Sequence, residues 1–320
     1  MADPLDPPIH VAVHEPLIGT RVQLRIRAEE DAAVECDRRI VAEVRRLERV
    51  FSVHDPASDL RRWRAGDDAA AGPELVALLA VAAEWFDRGG GAFHPATATA
   101  TARWRRAEAE GVVPDDDELA ALAAAMHTLP FTVTDPSATG ARAVRRLGRC
   151  DDVDLNAIAK GRIVDLAAAA GAAVPGVESV TVNAGGDLLH RGTGSIVVGI
   201  EDPHRPYDNV PPLDRLRPAG RAPEGRGLAT SGSSRRGFRV GGVWYGHVID
   251  PRTARPVDHV ASASVVAGDA ATADVAATVL GVLPVAEALC AVAAWPGVEC
   301  LIVDRDGIRH ESAGWRELRV

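Results

Sequence analysis

Lysine is all but missing from this chain: of its 36 basic side chains, only Lys160 is a lysine. The bias is genomic in character. A lone survivor marks a position that needs a compact, strongly hydrated ammonium instead of a planar guanidinium, unless it persists by chance. Cysteine is also sparse, and Cys36, Cys150, Cys290 and Cys300 lack the close paired spacing of a zinc site, so buried, reduced thiols are expected. No segment approaches the roughly 20 consecutive apolar residues of a membrane helix, which excludes membrane insertion by helices. The opening residues carry no basic start, apolar stretch or cleavage site, and a cytoplasmic location is the expectation. An excess of positive charge is lacking too: the net charge is −9, which offers no long-range attraction to a phosphate backbone and argues against a nucleic-acid partner.

What remains is the composition of a globular protein. With 320 residues, 47% of them hydrophobic and 25% charged, the chain can bury a sizeable core. Residues 1–17 read as a Pro-rich N-terminal extension. Residues 18–27 read as a strand, and residues 31–51 as an amphipathic helix with Ile40, Val41, Val44, Leu47 and Phe51 on one face. Further helices are expected over 74–86, 116–126 and from about Asn156, with strands at 179–184, 195–200, 227–231, 244–249, 262–266 and 300–303. Six prolines and many arginines without apolar periodicity make residues 203–227 an extended surface loop. Residues 18–320 are expected to form a single α+β domain, with mixed or antiparallel sheets flanked by helices.

Four segments carry residue types suited to chemistry. Asp154–Gly161, DLNAIAKG, lies at a helix start, where unpaired N–H groups and Lys160 would attract a phosphate, although an ordinary capped helix reads the same way. In TADVAATVLG, Asp274 and Thr278 are spaced i and i+4, so a carboxylate and a hydroxyl one turn apart can reach one hard cation; alone, Asp274 is more often a simple N-terminal helix charge. His247 in GHVIDPRT precedes an Asp-Pro turn and could take a proton near neutral pH, although most strand histidines are structural. The turns NAGGD, residues 183–187, and ATSG, residues 229–232, are plain hairpins or anion-binding backbone.

The order of these pieces is more specific than any one of them. IGT at Ile18, FSVHDPASDL at Phe51, GAFHP at Gly91, DLNAIAKG, NAGGD, LATSG, HVIDPRTARPV and ADVAAT together resemble the ApbE family of flavin transferases, from near the N-terminus to about residue 283. The resemblance implies an ApbE-like fold with a ligand cleft between two lobes. It also implies a magnesium-dependent FAD:protein FMN transferase, which takes FAD as substrate, attaches FMN to a threonine of an acceptor flavoprotein through a phosphodiester, and releases AMP. Carried over by position, Mg2+ would be held by the Ala157 carbonyl, Asp274 and Thr278. FAD would be contacted by Ile18, Ala92, Phe93, His94, Asp154, Lys160, Gly185, Gly186, Asp187, Ser231 and His247. His247, Asp154 and Lys160 would serve catalysis.

Departures from the family pattern fall on the flavin side. Ile18 stands for a methionine, His54 for a tyrosine, His94 for an acid, Ala96 for a threonine and Ala254 for a glycine. They leave open an FAD pyrophosphatase, yielding FMN and AMP, or a non-catalytic flavin-binding paralogue.

Overall fold

The computed structural model describes residues 7–134, 142–206, 209–217, 225–233 and 236–320. The chain opens on a hairpin of β1 (Ile9–Leu17) and β2 (Thr20–Arg27), so part of the expected extension is an edge strand paired with β2. Pro7, Pro8 and Pro16 conceal it in the sequence, since proline is tolerated at strand ends and edges. Helices α1 (Glu30–Phe51), α2 (Asp59–Arg64), α3 (Pro73–Arg88), α4 (Ala98–Glu110) and α5 (Asp116–Ala125) follow. A short hairpin, β3 (Phe131–Thr134) and β4 (Ala143–Arg146), leads to α6 (Asn156–Ala172).

Next come β5 (Ser179–Ala184), β6 (Asp187–Gly192), β7 (Val198–Ile200), β8 (Asp214–Leu216) and β9 (Arg226–Gly232). The loop expected over 203–227 therefore contains a strand; its residues 207–208 and 218–224 lie outside the described residues. Four shorter strands, β10 (Gly237–Val240), β11 (Val243–Gly246), β12 (Ile249–Asp250) and β13 (Arg255–Pro256), precede β14 (Val260–Ala267), α7 (Ala270–Val282), α8 (Val285–Ala293), β15 (Glu299–Asp304) and β16 (Arg309–Glu311).

Eight strands form one sheet in the order β1-β2-β5-β6-β9-β14-β15-β16, and its pairings are antiparallel throughout. The fold is thus α+β with a mainly antiparallel sheet and flanking helices, as expected. Helices α1, α6 and α7 bury their apolar faces on one side of it, forming a large core through Ile40, Val44, Leu47, Ile158, Val164, Val182, Val275 and Val279. On the other side, Ile200 and Leu216 of the β7–β8 hairpin and Trp315 near the C-terminus cover Leu228, Val266, Leu301 and Val303.

A second, smaller core has Trp104 of α4 at its centre, against Phe238 and Tyr245 of the β10–β11 hairpin with Leu119, Ile249 and Ala254. Sequence periodicity does not find α4, because its buried face is Ala100, Trp104 and Ala107: the spacing is helical, but two of the three side chains are too small to register.

Candidate active site

The site is built where α6, α7 and the turn before β6 meet. Gly161 sets how closely the two helices cross: a Cβ there would lie 2.3 Å from the Ala270 carbonyl oxygen and 2.7 Å from the Cα of Ala271. Only a residue without a side chain permits that approach. The approach lets the Gly161 N–H donate to Asp274 Oδ2 at 3.1 Å. The start of α7 is fixed by two carboxylates: Asp269 accepts from Thr272 N at 2.7 Å, and Asp165 of α6 accepts from Ala270 N and Ala271 N at 2.7 and 3.0 Å. One turn beyond Asp274, Thr278 donates its hydroxyl to the Asp274 carbonyl at 3.3 Å.

The NAGGD turn supplies the second acid. Gly185 and Gly186 have φ of +64° and +108°, and the Gly186 N–H donates to Asn183 Oδ1 at 3.1 Å. This tight turn delivers Asp187 into the interior, 2% exposed, where it ion-pairs with Lys160 Nζ. The IGT turn packs on the same spot, since a Cβ on Gly185 would lie 2.6 Å from Thr20 Oγ1. Ile18 adopts φ +47° in that turn, a conformation unfavourable for a β-branched side chain.

Two buried carboxylates therefore face one ammonium. Burial works against the charge of Lys160, but Asp274 and then Asp187 outweigh it and hold its pKa above the ordinary lysine value. Burial raises the Asp187 pKa against the pull of Lys160 and Arg236. Burial, reinforced by the Asp187 charge, pushes Asp274 up to about 7. The cluster is short of positive charge.

His247 approaches from the small core. Its backbone N–H donates to the Arg236 carbonyl at 3.2 Å, and its ring Nδ1 is buried with no hydrogen-bond partner among the described residues. Burial, then the charges of Arg236 and Lys160, depress its pKa below the ordinary imidazole value of 6.5. The arrangement thus brings Lys160, Asp187 and Asp274 together, leaves Thr278 one turn beyond Asp274 on α7, and sets His247 and Arg236 within electrostatic reach of Lys160. Arg236 is not singled out by the sequence; among so many arginines only the strand pairing distinguishes it.

The other expected residues are placed differently. Asp154 is occupied with Asn156, accepting from its backbone N at 2.8 Å and its Nδ2 at 3.2 Å, while its own N–H donates to the Pro95 carbonyl. Ala157 lies in the first turn of α6, one turn before Gly161. Ala92 and Phe93 are buried in the large core. His94 is buried with both ring nitrogens engaged: Nδ1 accepts from Ala96 N at 3.0 Å, and Nε2 donates to the Thr128 carbonyl at 3.3 Å. Ser231 is half-buried on β9 and lines a small cleft with Ser233, Val257, Ala261 and Gly281.

Residues 18–302 match the ApbE family. The chain belongs to that family. It is 34% identical over 222 residues to a Rhodobacter capsulatus FAD:protein FMN transferase, covering 68% of this chain but 40% of that protein, so it spans less than half of that relative's length. To the FAD:protein FMN transferase of Treponema pallidum it is 29% identical over 328 residues, with 94% of this chain and 86% of that protein covered. In fold it is similar to the ApbE protein of Thermotoga maritima, with a TM-score of 0.80 at 24% identity over 98% of this chain and all of that one. The apo flavinyl transferase ApbE of Pseudomonas stutzeri gives 0.75 at 20% identity over the whole of both chains.

Within this ApbE fold, several departures from the family pattern acquire a local account. His94 Nδ1 accepts the N–H two residues on, the hydrogen bond an aspartate makes in the same kind of turn. Ala254 adopts φ +55°, a conformation in which glycine is free of strain, and its carbonyl accepts from Trp104 Nε1 at 2.8 Å. His54 is exposed. Among the described residues no three His, Cys, Asp or Glu side chains cluster as a metal site. The donors that the family pattern assigns to a cation, the Asp274 carboxylate, the Thr278 hydroxyl and the Ala157 carbonyl, are all oxygen, the chemistry that suits a hard dication.

Proposed function

We propose that this protein is a magnesium-dependent FAD:protein FMN transferase that modifies a threonine of an acceptor flavoprotein and releases AMP. The observation that carries the reading is the pair of buried acids, Asp187 and Asp274, about the half-buried Lys160, short of positive charge, with the depressed-pKa His247 within electrostatic reach. Kinship with proteins named FAD:protein FMN transferase supports it.

In this reading the acceptor threonine oxygen attacks the FMN phosphorus of FAD. The new O–P bond forms as the bond to the AMP oxygen breaks, AMP leaves with that electron pair, and the threonine proton passes to His247. Asp274, Thr278 and the Ala157 carbonyl would hold magnesium, whose charge offsets that of the diphosphate. Lys160, kept protonated by its acid neighbours, stabilises charge on the phosphate oxygens, and Asp187 fixes where that ammonium points. The glycine turn at 185–186 gives the substrate close backbone approach; ATSG, expected from the sequence as a turn, is the end of strand β9.

The test is incubation of purified protein with FAD and a threonine-bearing acceptor, with magnesium or chelator, following AMP and covalent flavin by chromatography. Magnesium-dependent AMP release with flavinylated acceptor is expected, and Asp274→Ala should abolish both. AMP with free FMN and an unmodified acceptor would instead identify a pyrophosphatase. No AMP under any condition would overturn both enzymatic readings.

A further inference from the structure

We propose that Arg236 is a second phosphate-binding cation of this site, taking the diphosphate of the bound nucleotide alongside Lys160, next to the imidazole that receives the proton. The inference rests on the nucleotide-binding part of the reading above and adds a residue to it.

The placement follows from strand register. In the β10–β11 hairpin Gly237 faces Gly246, Phe238 faces Tyr245 and Arg239 faces Trp244. One step beyond the paired strands, His247 N–H donates to the Arg236 carbonyl at 3.2 Å, so Arg236 stands directly opposite His247. Side chains of directly opposed residues leave an antiparallel pair on the same face, about 5 Å apart at Cβ. Arg236 and His247 therefore project together.

The surroundings hold that pair in place. Phe238 and Tyr245, the next pair on the same face, pack on Trp104 with ring centroids 6.3 and 5.0 Å away. Gly237 and Gly246 allow no slack: a Cβ on the first would lie 2.1 Å from the Tyr245 carbonyl oxygen, and on the second 2.5 Å from Ser233 Cβ. The hairpin is thus pinned to the small core on one side and to Ser233, just past the ATSG strand, on the other, with Arg236 exposed at its open end.

Charge completes the case. The register sets Arg236 beside His247, whose neighbour Val248 lines a cleft with Ser231 and with Gly281 of α7, and the Arg236 guanidinium is within electrostatic reach of Lys160, Asp187 and His247. Lys160 is already paired with Asp187, so part of its charge is spent on a carboxylate. A guanidinium offers a planar fork of N–H donors that matches two phosphate oxygens at once, which an ammonium does not. Set beside His247, it would neutralise charge on the phosphate being attacked while lowering the proton affinity of the imidazole.

The experiment measures binding of ADP, which carries the same diphosphate, by calorimetry in the presence of chelator, using the wild-type protein, Arg236→Gln and Arg236→Lys, with FAD turnover measured in parallel. Loss of one charge-assisted contact predicts ADP affinity lower by about tenfold or more in Arg236→Gln, with a shallower salt dependence. A raised KM for FAD should accompany it. Arg236→Lys should recover part of the affinity, because it restores the charge without the fork. Unchanged affinity and salt dependence in Arg236→Gln, or no ADP binding by the wild type, would overturn the assignment. If the wild type binds ADP through Arg236 yet releases no AMP from FAD, the transferase reading falls and the phosphate assignment stands. If the wild type flavinylates the acceptor and Arg236→Gln binds ADP as well as it does, the reverse holds.

Discussion

His247 does its proposed work as a neutral imidazole, and its surroundings favour that form. Burial is the largest influence, followed by the positive charge of Arg236, with Lys160 adding in the same sense. All three penalise the protonated ring, so its pKa lies below 6.5 and the free base persists into mildly acidic solution. The acid limb of the pH profile of kcat/KM for the acceptor should then fall below pH 6.5, and Arg236→Gln, which removes one of the opposing charges, should move it to higher pH. His247→Ala should lower kcat by roughly 10²- to 10⁴-fold, the range for loss of a general base. An acid limb above pH 7 in the wild type, or one that does not respond to Arg236→Gln, would show that the titrating base is some other group.

At the scale of elements, the crossing of α6 over α7 decides whether the site exists. The atoms a Cβ on Gly161 would strike belong to the backbone of Ala270 and Ala271 and cannot rotate away, so Gly161→Ala must push the helices apart and withdraw the Gly161 N–H from Asp274. Overpacking of this kind costs about 1–3 kcal/mol. Urea unfolding should show that loss, together with weakened nucleotide binding. Gly281→Ala, on the far end of α7, is the control: its nearest neighbour would be Ser231 Oγ at 3.8 Å, an ordinary contact, and it should leave the midpoint nearly unchanged.

These two glycines also show what was legible beforehand. The motif AKG is readable in the sequence, and so are the helix it opens and the strand at 179–184, because helical and strand periodicities are local. The family pattern points to Lys160, Asp187 and Asp274 as neighbours of one ligand; the approach of Asp274 to α6 depends on a helix crossing set by the absence of a single Cβ. The pairing of Arg236 with His247 is a fact of hairpin register, and RRGF carries no mark that separates one arginine from the next. β1 was hidden by its flanking prolines and α4 by its small buried side chains. His94 reads in the sequence as a lost acid, whereas in the fold it keeps an acid's hydrogen bond to the Ala96 N–H.

For the molecule as a whole, the buried acids tie stability to pH and, in the proposed reading, to metal. Asp274 has a folded pKa of about 7 against an ordinary value of 3.8, so the folded state binds its proton more tightly than the unfolded state does. The stabilisation this gives is fully present below about pH 4 and is lost as pH rises through about 7. Asp165, pushed up to about 7 by burial, contributes a slope of the same sign. Only Asp274 would also bind the dication. A cation on its carboxylate competes with the proton, so the rise in Tm produced by Mg2+ with ADP should be small at pH 5.5 and larger at pH 8. Asp274→Asn should remove that pH-dependent increment and its own share of the metal-free slope, and leave the share due to Asp165. Thermal melts across this pH range, with and without chelator, separate the two acids. A metal-induced shift equal at both pH values, or one that survives in Asp274→Asn, would place the cation elsewhere and leave the excess acidity of the Lys160 cluster to be offset by Arg236 and the protein's own protons.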